Sequence, residues 1–125
     1  FISEEDITWL KADLQSNNNP CLVFNHFGIA NDSMIGNWWF ERCPESALLA
    51  NRKEVKEILE KSKNIIGVFS GHQHWTKKLA ENNINYFIVG SISENNKNDG
   101  VPDGVYLEVN IVGEKINIIE KHIKL

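Results

Sequence analysis

A chain of 125 residues has room for one domain around one modest core. Its formal net charge of -4 excludes the basic footprint of a nucleic-acid binder, and no apolar run approaches the roughly 18 residues that span a membrane. With 42% hydrophobic and 24% charged residues, the composition is that of an ordinary globular protein.

Ser3-Glu4-Glu5-Asp6 reads as a helix start, with Ser3 as cap, acids in the first turn and Ile2 placed to staple onto Ile7. Ile7, Leu10 and Leu14 form the apolar stripe, and Asn17-Asn18-Asn19-Pro20 stops the helix. Cys21–Asn25 reads as a short buried strand. Residues 28–50, with Gly28, Gly36 and Pro44, are irregular. Asn51-Arg52-Lys53-Glu54 has the form of a capping box, opening a helix with Val55, Ile58 and Leu59 on one face. Ile65–Phe69 and Ile84–Val89 are further strands, Ser91–Gly104 is a polar loop, and Val105–Val112 alternates apolar and polar residues before turning at Gly113-Glu114 into a hairpin with Lys115–Ile123. No repeat or linker interrupts this order, which predicts a mixed α/β layer. Cys21 and Cys43 form no Cys-x-x-Cys pair, and two free thiols are expected, with a disulfide as the alternative.

Three of the four histidines follow strands. His26 comes directly after Cys21–Asn25, while His72 and His74 follow Ile65–Phe69 through Ser70-Gly71. In open α/β sheets ligands bind beyond the carboxyl ends of the strands, so the three histidines are expected on one rim. In extended backbone, residues i and i+2 point to the same side about 6–7 Å apart, a span that suits two imidazoles serving two metal ions about 3.5–4 Å apart. The competing reading of His-x-His is a polar loop.

Gly71-His72-Gln73-His74 resembles the closing Gly-His-x-His motif of the calcineurin-like metallophosphoesterases, and Val23-Phe24-Asn25-His26 resembles the motif before it, an apolar strand ending in histidine. The order of elements resembles that family over nearly the whole chain. The resemblance implies that residues 1–125 form the C-terminal half of such a domain: one sheet with its helices, half of a four-layer α-β-β-α sandwich, whose partner is the N-terminal half. It implies two divalent metal ions (manganese, iron or zinc), with His26 and His72 on one and His74 on the other. The implied reaction is hydrolysis of a phosphate monoester, diester or anhydride.

The family's N-terminal motifs are missing. No aspartate has a histidine two residues on, Gly-Asp does not occur, and Gly36-Asn37 is followed by Trp38. The bridging carboxylate and the catalytic histidine would therefore lie outside this chain, which is expected to be inactive alone. In the loop after His26, Trp38 and Trp39 would either line the substrate or pack the loop down, and Arg42 would meet either a phosphate or a surface carboxylate. Trp75 reads as packing, Lys77-Lys78 as a solvated pair and His122 as solvent-facing. With its partner sheet absent, one apolar sheet face is expected to be bare, and self-association through it follows. Two functions stay open: an enzyme half, favoured by the start at Phe1 rather than at methionine, and a non-catalytic remnant that packs or binds a partner.

Overall fold

The computed structural model describes residues 1–123, so the last two residues of the expected domain range lie outside it. Helix α1 runs Glu4–Ser16, and Ser3 Oγ caps it by accepting from the Asp6 N–H at 3.1 Å. Glu4, Glu5 and Asp6 fill the first turn, where the helix dipole favours negative charge. Strand β1 follows at Cys21–Asn25, then a long loop containing a 3-10 turn at Pro44–Ala47. Helix α2 (Arg52–Lys61) leads into β2 (Ile65–Ser70), β3 (Lys77–Glu81) and β4 (Ile84–Ile88), and the chain closes with β5 (Val105–Val112) and β6 (Lys115–His122).

Four strands form one sheet in the order β1-β2-β4-β3, with β1, β2 and β4 parallel and β3 antiparallel to β4. The register places Val23, Val68, Tyr86 and Leu79 in one row on one face. That row packs against Ile7 of α1 and Val55, Ile58 and Leu59 of α2, and this is the main core. Ile2, expected to staple the helix start, packs against the same cluster.

Two expectations are corrected here. Asn51 precedes α2, but its side chain makes no capping bond. Its Oδ1 instead accepts from the Ile2 N–H at 2.9 Å and its Nδ2 donates to the Ile2 carbonyl at 2.9 Å, so the amide ties the first residues of the chain to the second helix. Of the Lys77-Lys78 pair, Lys78 is exposed as expected, but Lys77 is half-buried at the start of edge strand β3, with Nζ 2.6 Å from Asp32 Oδ2 and 3.9 Å above the Trp75 ring.

The opposite face carries an aromatic row. Phe24 stacks on Phe69 and Phe69 on Phe87, with both centroid distances 5.1 Å. Hairpin β5–β6 reaches over this face; Ile116 Cδ1 lies 3.4 Å from where Gly67 would carry a side chain. Phe69 and Phe87 are thereby buried, and only Phe24, on edge strand β1, stands open at 71% exposure. The bare face expected from the sequence shrinks to this edge.

Tyr86 lies fully inside the core, and its hydroxyl has no hydrogen-bond partner among the described residues. Burial, with Glu81 and Glu60 adding to it, pushes its phenol up to about 12. A folded value above the unfolded one, about 10, means stability that is complete below pH 10 and lost as the pH rises through the folded value. Tyr86→Phe should therefore hold neutral-pH stability constant or raise it by up to about 1 kcal/mol. It should also flatten the decline above about pH 10. Urea midpoints at neutral and alkaline pH check both, and a lower midpoint at pH 7 would contradict the first.

Candidate metal centre

Parallel pairing sets the site. Asn25 of β1 lies beside Ser70 of β2, so the residues that leave these neighbouring strands start side by side. The Gly71 N–H donates to the His26 carbonyl at 3.1 Å and carries the pairing one step beyond the sheet. His26 Nε2 and His72 Nδ1 end 3.2 Å apart. Phe27 and Phe40 flank the pair, with their ring centroids 4.4 and 5.0 Å from that of His72.

The turn itself is not extended. His72 and His74 both sit in the left-handed region, at φ 65° and 48°. The same-side geometry expected for an extended His-x-His therefore fails, and the two imidazoles meet different neighbours. His72 Nε2 lies 3.1 Å from the Ser46 carbonyl, on the 3-10 turn. His74 Nδ1 lies 2.8 Å from Glu94 Oε2, off the line of a good hydrogen bond, and its ring meets Trp39 edge-on at 5.3 Å. Burial lowers the His72 pKa below the usual histidine value; the Ser46 carbonyl opposes this, and the charges of His26 and His74 add to it.

Neither Ser46 nor Glu94 is marked by any local pattern. They are 26 and 20 residues from the histidines they face, and only the folded loops bring them in. Asn37 and Gln73 were missed as well. Asn37 is fully buried, accepts the N–H groups of Trp39 and Phe40 on Oδ1, and donates from Nδ2 to the Gln73 carbonyl at 2.8 Å.

The two tryptophans behave differently. The Trp39 indole N–H donates to the Asn95 carbonyl at 2.7 Å, which packs the loop onto the body, while Trp38 stays 58% exposed. Arg42 is exposed and forms no ion pair among the described residues. Cys21 and Cys43 are both free, as expected. His122 is exposed and faces Glu120. A groove lined by Lys11, Asn17, Ile58 and Asn64 lies at the amino ends of β1 and β2, away from the histidines.

Two nitrogens each about 2.0–2.1 Å from one metal ion, at angles between octahedral and tetrahedral, are roughly 2.9–3.4 Å apart. The 3.2 Å His26–His72 separation fits that range, and a His72 held neutral keeps its lone pair for a metal. The set is incomplete: among the described residues no three His, Cys, Asp or Glu side chains group closely enough to hold an ion.

No family model and no curated protein matches this sequence. A solved structure does: a dimetal phosphatase from Danio rerio, with a TM-score of 0.56 and 17% identity, covering 71% of this chain and 27% of that one. Over that part, the chain has the fold of a piece of a dimetal phosphatase. The match spans about a quarter of the phosphatase's length.

Proposed function

We propose that this chain is the C-terminal half of a calcineurin-like metallophosphoesterase domain, which hydrolyses phosphate esters or anhydrides once joined to its N-terminal half. The observation that carries the proposal is the 3.2 Å imidazole pair at the carboxyl ends of two adjacent parallel strands. The dimetal-phosphatase fold supports it. His26 and His72 would hold one divalent ion and His74 would hold the other. Bound there, the ions supply Lewis acidity and positive charge toward a phosphoryl group.

This chain's own residues orient the ligands. The Ser46 carbonyl fixes the His72 ring so that Nδ1 faces His26, and Glu94 sits at His74 Nδ1, leaving Nε2 for the ion. Trp39 packs edge-on against His74 and Phe40 packs beside His72, which limits the freedom of both rings. Trp38 and Arg42, both exposed in the loop after His26, would be the side chains offered to substrate. The N-terminal half would bring the bridging carboxylate and would cover Phe24; without it, Phe24 and the free edge of β1 favour self-association.

The second reading, a non-catalytic module, draws on the absence of a third ligand among the described residues. Activity separates the two. The chain alone should cleave nitrophenyl phosphate esters at the background rate, with or without manganese. Fused to an upstream segment carrying Asp-x-His, Gly-Asp and Gly-Asn-His, it should become a manganese-dependent esterase. His74→Ala should then lower the rate by more than about 100-fold, beyond the usual loss from an outer-shell change. A fused protein that binds metal and stays inactive favours the module.

A further inference from the structure

We propose that Gln73 and Asn37 are positioning residues: together they hold the His72–His74 turn in its left-handed form and thereby set the metal affinity of the histidines. The proposal rests on the metal reading above. Left-handed backbone is unfavourable for residues with a side chain, and glycine is the usual choice there. Glycine carries no imidazole, so a turn that needs ligands at both 72 and 74 must be held from outside.

Gln73, between the two, is where it is held. Its N–H donates to the Gly71 carbonyl at 2.7 Å, and its carbonyl accepts from Asn37 Nδ2 at 2.8 Å. Its side chain is 1% exposed, and the carboxamide nitrogen occupies the space that any side chain at Gly28 would need. Gly28 belongs to the segment that begins at His26, and it is stitched to the 3-10 turn by its N–H to the Ala47 carbonyl at 3.1 Å. One side chain thus wedges the His72–His74 turn against the backbone at Gly28, which is itself tied to the 3-10 turn. Oε1 of Gln73 is buried and has no partner among the described residues, so we take this side chain to work by filling space rather than by its polarity.

Asn37 supplies the other restraint. With Oδ1 on the Trp39 and Phe40 N–H groups and Nδ2 on Gln73, one amide presses an aromatic ring against each histidine of the turn. Neither Gln73 nor Asn37 would be a ligand to the ion in this arrangement.

The test is a cobalt titration of the 125-residue chain and three variants, at a temperature where circular dichroism shows all of them folded. Paramagnetic shifts of the His26 and His72 ring protons report binding, and amide–Hα couplings at 72 and 74 report the backbone without metal. Gln73→Ala and Asn37→Ala should each bind cobalt about tenfold more weakly or worse. Both should also lose the left-handed couplings. Gln73→Met, which refills the space without the carboxamide, should bind within about twofold of the wild type. Wild-type binding that both alanine variants match would overturn this inference and leave the metal reading standing. A wild-type chain with no cobalt shifts would overturn both. If Asn37→Ala does not fold, the Gln73 pair decides alone.

Discussion

Removing either imidazole of the close pair, by His26→Ala or His72→Ala, should weaken binding of zinc or cobalt to this chain by about 100-fold. The two imidazoles lie 46 residues apart in sequence but 3.2 Å apart in space, so an ion bound by one would find the second already in place. An intramolecular second contact of that kind raises affinity by roughly 100-fold or more over a single contact. His74→Ala should cost much less in the isolated chain, because His74 faces Glu94 and Trp39 rather than the pair. Stability should fall by no more than about 1 kcal/mol in any of the three, because all are partly open to solvent. Calorimetric titration checks the order; His26→Ala binding within threefold of the wild type would remove the pair as the ligand set.

Leu59→Ala is expected to be the most destabilising single truncation. Leu59 is fully buried where α2 meets the sheet, in one cluster with Val68, Ile84 and Tyr86. Both helices lie on that face, and the ion pair of Lys56 with Glu81 fastens α2 to β3. The helix therefore has little freedom to sink into a cavity. Truncating a leucine at such a site costs about 3–4 kcal/mol, because the lost transfer energy and the unrelaxed cavity add together. With a urea slope of roughly 1–3 kcal/mol per molar, the midpoint should drop by more than about 1 M. Trp9→Ala, at a side chain 64% exposed on α1, serves as the contrast and should move the midpoint far less.

Elements with a local signature were readable from the sequence. Ser3 and the acids after it mark α1, the runs Cys21–Asn25 and Ile65–Phe69 mark two strands, and the hairpin shows in its alternation. Strand β3 was not readable: Lys77-Lys78-Leu79-Ala80-Glu81 has no β-branched residue and is a strand because β4 offers it an edge. Asn51 misled because a tertiary partner, the Ile2 backbone, outcompeted its local capping role. At the site, the strand-end placement of His26 and His72 was legible, and so was their meeting. What fixes them was not. Ser46 acts through its carbonyl, which every residue has, and Gln73 acts by shape, which no motif records.

The parallel pairing of β1 and β2 also bears on how the protein folds. Hairpins form early because their strands adjoin, but β1 and β2 join only after the whole intervening segment, including α2, has been brought across. Pairings so distant in sequence close late and slow the search for the native state. The His26–His72 pair does not exist until that closure is complete, so an ion that needs both nitrogens meets no bidentate site in the unfolded chain. Such an ion stabilises by mass action on the native state alone. Its kinetic effect falls on the unfolding limb: the chain would find its fold at the same pace with metal as without, and would leave it more slowly.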